Sequence, residues 1–258
     1  MISYTLSDSF PEVRLFTTTR QSGVSQGNYS SFNLSPFSGD VNSDFQKNIQ
    51  ILSNEIDLPV DKIIIPFQTH ETEVKVIDSC FFELHEAAKG KFLFGVDALI
   101  TNLPGVCIGV TTADCVPVFF YDPNKKVIAV AHAGWRGTCA GIVTKTISKM
   151  VLEFGCRPAD IFSAIGPSIS AKVYKVGEEL ISEFEKNGFP VDEIFARNES
   201  GLFLDLWKAN QFLLLKAGIP DANIEISGRC TFTEHETFFS ARRLGIKSGR
   251  IYSGIFIR

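Results

Sequence analysis

The fold class this sequence predicts is a mixed α/β single domain, and three observations predict it. Short apolar runs bounded by turn residues alternate with segments of helical period along the whole chain. Of 258 residues, 45% are hydrophobic and 21% charged, an ordinary globular balance in a chain long enough to bury a substantial core. No linker, repeat or low-complexity stretch divides it, so residues 1–258 are read as one unit.

The elements follow in order. Residues 12–19 alternate as a strand, after which Arg20 opens a loop rich in Ser, Gly and Asn that runs to Asp40. A polar loop of that length in a compact chain is more often functional than idle. Asp44 precedes a helix with Phe45, Ile49, Leu52 and Ile56 at helical spacing. Residues 63–65 and 74–76 are short strands on either side of Gln68-Thr69-His70. Strands follow at 96–101, 106–111, 116–121 and 125–131, separated by the turns Pro104-Gly105 and Asp122-Pro123-Asn124. Ile142, Val143, Ile147, Met150, Val151 and Phe154 make the apolar face of the next helix, which Gly155 caps. A strand at 161–165, helices at 178–186 and 205–216, and strands at 224–227 and 251–257 complete the chain.

Charge and leader signals exclude several classes. The formal net charge is −4 and no Lys/Arg block stands out, so the chain lacks the basic footprint of a nucleic-acid binder. Met1-Ile2-Ser3-Tyr4-Thr5 shows no positive region followed by an apolar stretch, and no apolar run reaches membrane-spanning length. Six cysteines fall without C-x2-C pairing. These features predict a reduced, cytoplasmic protein without a membrane partner.

The chemistry concentrates in three turns. His70 lies in Gln68-Thr69-His70, Cys115 in Thr111-Thr112-Ala113-Asp114-Cys115, and His132 in Ala131-His132-Ala133-Gly134-Trp135-Arg136-Gly137. Imidazole and thiolate are preferred zinc ligands, and three protein ligands with one open position mark a catalytic zinc. Their spacing matches no compact finger pattern, and a single Cys near a strand is most often a buried small hydrophobe. Cys115 is therefore read as a zinc ligand with the two histidines, or as a nucleophile activated by one of them. Asp114 orients a ligand histidine or caps its own turn. The turn after His132 offers helix N-terminal N–H groups and Arg136 to an anion, or its glycines serve unusual backbone angles. His85 and His235, among glutamates, are left outside the site.

Several motifs in the same order resemble the YfiH-like family, long described as multicopper polyphenol oxidase or laccase-domain proteins and since regarded as zinc-containing purine nucleoside phosphorylases. They are Thr19-Arg20 with Gly23-Val24-Ser25, Ser31-Phe32-Asn33-Leu34, Gly39-Asp40, Gln68-Thr69-His70 and Asp97-Ala98-Leu99-Ile100-Thr101. Thr112-Ala113-Asp114-Cys115-Val116-Pro117-Val118, His132-Ala133-Gly134-Trp135-Arg136-Gly137, Ile165-Gly166-Pro167, Tyr174-Lys175-Val176-Gly177 and Phe238-Phe239-Ser240 follow. The chain departs from the pattern at Gln21-Ser22, at Ala241 in place of a frequent Tyr, and at Leu244 in place of a frequent Asp.

The resemblance implies a four-layer α/β/β/α sandwich with mixed sheets, similar to the cytotoxic necrotizing factor catalytic domain, in a monomer. It implies one zinc ion per chain on His70, Cys115 and His132; copper, which outcompetes zinc at most nitrogen and sulfur sites, is a possible adventitious occupant. It also implies phosphorolysis of adenosine, inosine, guanosine or methylthioadenosine to free base and ribose-1-phosphate, with adenosine deamination as a second activity. Motif position and chemistry then make Arg20, with Arg136, the holders of phosphate, and Asn33 and Gln68 hydrogen-bonding residues for ribose or base. Asp114 joins them as a candidate to bind substrate or to orient a ligand. Three rivals stand beside this reading. One is a metal-free amidase with Cys115 as nucleophile and His132 as base. Another is a non-catalytic zinc-binding module closed by Cys139 or Asp114. The third, a copper oxidase, is excluded because four histidines cannot furnish a blue-copper centre and a multinuclear cluster together.

Overall fold

The computed structural model describes residues 1–258. Two mixed sheets are stacked face to face. One has five strands in the order Ile2–Ser3, Val13–Thr17, Ile251–Ile257, Cys107–Thr112 and Ile63–Ile64. The other has six, in the order Ile224–Ile226, Phe162–Ile165, Val116–Asp122, Val127–Ala133, Val96–Thr101 and Glu73–Val76. A small antiparallel sheet of Lys175–Val176, Gly201–Leu204 and Phe195–Asn198 lies apart. No helix is long and apolar enough to cross a membrane.

Period-two alternation sends side chains from each large sheet to two different cores. Between the sheets, Leu15, Ile108, Val110 and Ile255 meet Leu99, Phe119, Tyr121, Ile128 and Val130. On the outer face of the five-stranded sheet, Phe16, Tyr252 and Phe256 pack against Phe45, Ile49, Leu52 and Ile56 of the helix Asn42–Ile56. On the outer face of the six-stranded sheet, Val118, Phe120, Ala129 and Ala131 pack under the helices Ile142–Phe154 and Leu206–Lys216. The layers are therefore helix, sheet, sheet, helix, as the resemblance implied. Because both faces of each sheet are covered, the central strands are apolar nearly throughout rather than strictly alternating.

The expected elements form with shifted ends. The first long helix begins at Asn42, two residues before Asp44, and the strand placed at 125–131 runs from Val127 to Ala133 because Lys126 sits in the left-handed region. Helices at Ser79–Glu83 and Glu86–Leu93, and the hairpin Phe195–Asn198 with Gly201–Leu204, were not expected. Glu86–Leu93 buries none of its residues, so it lacks the apolar stripe that makes a helix legible. His85 is its N-cap and accepts from the Ala88 N–H.

One close approach fixes the central strands. A Cβ on Gly109 would fall inside the fully buried Tyr252 ring, whose hydroxyl is held by the Ile64 carbonyl. Gly109→Ala is expected to destabilise the protein by roughly 1–3 kcal/mol through overpacking, read as a lowered midpoint in urea unfolding. An unchanged midpoint would show that this strand pair can part.

Candidate metal centre and cavity

The inter-sheet layer ends in polar residues. His132 shares its strand face with Ile128 and Val130, and Asp97 shares its own with Leu99, so both emerge where the apolar core stops. Register places the third member. Val116 pairs with Ala133 and Pro117 with His132, which leaves Cys115 beside Gly134 at the open end of the hairpin. A Cβ on Gly134 would lie 2.9 Å from Cys115 Sγ and 3.2 Å from the His70 ring. Gly134 itself has an ordinary φ of −66°, so the residue serves close approach and not an unusual backbone angle.

His70 arrives on a separate turn, in the left-handed region at φ 64°. Asp97 holds that turn. Its carboxylate accepts from the backbone N–H groups of Thr69 at 3.2 Å, His70 at 3.1 Å and Glu71 at 2.9 Å. Its Oδ1 also lies 2.7 Å from His132 Nδ1. That contact gives Nδ1 the proton and turns Nε2 toward the site. Burial opposes the Asp97 charge, but the His132 hydrogen bond and charge and the backbone donors outweigh it and hold its pKa below the ordinary value. The stabilisation this provides is complete above the usual carboxylate range and is lost as pH falls through the depressed folded value.

One ligand atom each from His70, Cys115 and His132 lie within 4.8 Å of one another. Burial disfavours the Cys115 thiolate, yet the His132 charge and hydrogen bonds from both histidines bring its pKa down to about 6. Burial works against a charged His132 as well, and the thiolate with Asp97 raises it to about 9. Two imidazoles, a thiol that ionises readily and a carboxylate behind one ring fit a zinc ion with an open position. The fourth donors considered from sequence face elsewhere. Asp114 accepts from Thr231 Oγ1, Ser240 Oγ and the Arg242 N–H, and Cys139 Sγ contacts the Glu183 carbonyl and Asn187.

The three donors open on a cavity of about 580 Å³, inside the roughly 300–1,000 Å³ range of small-molecule sites. Its cations are Arg242, Lys247 and Arg250. Arg242 stacks on Tyr174 and donates to the Lys175 carbonyl, and Arg250 donates to carbonyls of Ile246, Ser248 and Gly249. The Lys247 ammonium has no protein partner.

The supporting residues expected from sequence are distributed otherwise. Arg20 does not line the cavity; its guanidinium donates to the carbonyls of Ser30 and His235 and lies over the Phe239 ring. Arg136 is exposed and stacked on Trp135, also off the cavity wall. Asn33 is fully buried, donating to Ser35, Ser38 and Asp40 and accepting from the N–H groups of Ser35 and Arg250. Gln68 lines the cavity, but its amide is bound to Thr111 through both its oxygen and its nitrogen. Asp114 touches no ligand histidine; the orienting carboxylate is Asp97, which sequence reasoning missed although Asp97-Ala98-Leu99-Ile100-Thr101 was in view.

The family model described as multi-copper polyphenol oxidoreductase laccase matches residues 14–258. The chain belongs to that family. Over 100% of its length and 96% of the relative, this laccase-family chain is 45% identical to a purine nucleoside phosphorylase of Bacteroides thetaiotaomicron. It is 40% identical to adenosine deaminase RL5 of an unknown prokaryotic organism, over 95% of the chain and 94% of the relative. Among solved structures, the Bacillus licheniformis hypothetical protein YfiH aligns with a TM-score of 0.90 at 30% identity, covering 97% of this chain and 95% of that one. YlmD from Geobacillus stearothermophilus aligns at 0.89 and 31%, covering 96% and 93%.

Asp97→Ala is expected to weaken zinc binding by roughly 10- to 100-fold, measured by competition with a chromophoric chelator. Asp97→Asn, which keeps one acceptor oxygen, should lose less. Wild-type affinity in Asp97→Ala would mean that the strands alone set the two histidines.

Proposed function

We propose that this chain is a zinc-dependent purine nucleoside phosphorylase, converting a purine nucleoside and phosphate to free base and ribose-1-phosphate. The observation that carries the reading is the convergence of His70, Cys115 and His132 on one wall of a cavity that also presents Arg242, Lys247 and Arg250. Phosphate and purine nucleoside are the two reactants that such a cavity must hold together, and the purine nucleoside phosphorylase and adenosine deaminase among its relatives share the purine nucleoside.

In the reaction, a phosphate oxygen forms a bond to ribose C1′ while the bond from C1′ to the purine nitrogen breaks. The purine leaves with that electron pair and takes up a proton. The cations hold the phosphate dianion against the negative charge that develops on the leaving base. Lys247, as the cation without a protein partner, is the one free to close on phosphate. His70, Cys115 and His132 would hold the zinc ion, which would supply Lewis-acid and charge stabilisation when bound. Copper at the same donors is an adventitious occupant, since His85 caps a helix and His235 pairs with Glu236, leaving two histidines for a metal.

One observation favours a second reading. Cys115, His132 and Asp97 are linked as a thiolate, an imidazolium and an orienting carboxylate, the arrangement of a thiol hydrolase. His70 is superfluous in that scheme, whereas a metal site uses it. The deciding measurement pairs metal content with phosphate-dependent hypoxanthine release from inosine. About one zinc per chain is expected, with release abolished by Cys115→Ala and by His132→Ala. Activity that survives complete zinc removal but is lost on Cys115 alkylation would install the thiol hydrolase instead. Lys247→Ala is expected to raise the KM for phosphate roughly 10- to 100-fold, the loss of one charge-assisted hydrogen bond. A change in the nucleoside KM alone would remove Lys247 from the phosphate.

A further inference from the structure

The cavity has two unlike walls, and the proposed reaction has so far used one. The other is aromatic. Phe37 and Phe67 line it, with ring centroids 4.8 Å apart and planes at 69°. Phe94 lies behind Phe67 at 4.9 Å and 13°, a near-parallel stack. Phe67 is thus held on one face by Phe94 and met edge-on by Phe37, an arrangement that fixes its orientation. Phe37 is nevertheless 50% exposed, Phe94 66% and Ile246, also on the cavity wall, 81%. Large apolar side chains gathered at the mouth of a cavity mark a ligand surface more often than isolated exposed ones do.

Several polar side chains on this cavity wall are already committed to protein partners, while the buried Thr112 hydroxyl has none. Gln68 is committed to Thr111 through both ends of its amide. Ser38 Oγ accepts from Asn33 and donates to the Ser35 carbonyl. The Asp114 carboxylate accepts from Thr231, Ser240 and the Arg242 N–H. The amide and the carboxylate on the cavity wall are thus committed to the protein, and the Thr112 hydroxyl, able to donate or accept, does not by itself distinguish a 6-amino from a 6-oxo purine.

We propose that Phe37 and Phe67 form the base subsite, stacking on the purine ring and reading its face, not its hydrogen-bonding edge. This rests on the nucleoside reading above and adds the residues that set base selectivity. Adenine, hypoxanthine and guanine present the same bicyclic face, and base–aromatic stacking tolerates differences at the edge. A single pyrimidine ring presents a smaller face and gains less. The base then sits at the aromatic mouth, with ribose and phosphate toward the donors and cations.

The test compares wild type, Phe37→Ala and Phe37→Trp in KM for inosine, adenosine and guanosine, together with equilibrium dialysis of free hypoxanthine. Phe37→Ala is expected to raise all three KM values by a common factor of roughly tenfold, the loss of one stacking contact. It should weaken hypoxanthine binding by a similar factor, with zinc content at the wild-type level, and Phe37→Trp should restore both. Unchanged KM values, or a change confined to one nucleoside, would overturn the subsite while leaving phosphorolysis standing. Hypoxanthine binding that depends on Phe37 in a protein without phosphorolysis would support the subsite and overturn the reaction. A protein that neither binds hypoxanthine nor turns over nucleosides would overturn both.

Discussion

Asp97 accepts hydrogen bonds from three consecutive backbone N–H groups and from the His132 ring, and those partners come from segments far apart in sequence. One carboxylate therefore sets the position of both histidines: His132 through its ring, His70 through the turn that carries it. Removing the carboxylate would strand up to three backbone donors, each worth about 1–3 kcal/mol when buried without a partner. It would also free the His132 ring to take the other tautomer. Cys115 comes to the same point through strand register and the missing Cβ of Gly134, on a turn whose Asp114 is held by Thr231, Ser240 and the Arg242 N–H. The site depends on a polar knot at the end of an apolar layer. The core beneath it is rigid enough for that knot to be precise.

Much of the fold was legible because its main signals are local. The helices Asn42–Ile56 and Ile142–Phe154 carry a one-sided apolar stripe, and the central strands are apolar runs between turn residues. Glu86–Leu93 was illegible because only Phe92 and Leu93 at its end pack on the core, and the hairpin Phe195–Asn198 with Gly201–Leu204 because its outer strand is largely exposed. The convergence of His70, Cys115 and His132 was legible for another reason: unusual residue types stood in dense turn motifs. Asp97 was not, because an Asp inside an apolar strand gives no local sign of what it will face. Its partners are set by the pairing of Ala98 with Ala131 and by the alternation that follows from it.

The supporting residues show how motif position misleads about contact. Arg20 and Asn33 stand in motifs as distinctive as those of the metal donors, and both are turned inward. A guanidinium near a site is a reasonable phosphate ligand until the carbonyls of Ser30 and His235 claim it. A long polar loop has many backbone groups to satisfy, and buried side chains such as Asn33 satisfy them. In this loop the polar residues are the fabric of the wall, and the same composition that suggested function is what an irregular buried backbone requires.

That fabric has a second consequence, which joins the two ends of the chain. Asn33 accepts from the backbone N–H of Arg250, and Asp114 from that of Arg242. Two residues expected to touch substrate thus hold the segment whose side chains do line the cavity. Arg242, Lys247 and Arg250 fall in one short stretch of sequence, and this tethering holds that stretch against the cavity. His70 and His132, by contrast, sit on the turn that Asp97 holds and on the six-stranded sheet, and only Cys115 is linked to that segment, through its neighbour Asp114. Side-chain replacements within 241–250 leave the Arg242 backbone bond to Asp114 in place and so act on the cation wall before the donors. Ala241 is one such position: it lines the cavity, where the family pattern has a larger aromatic residue.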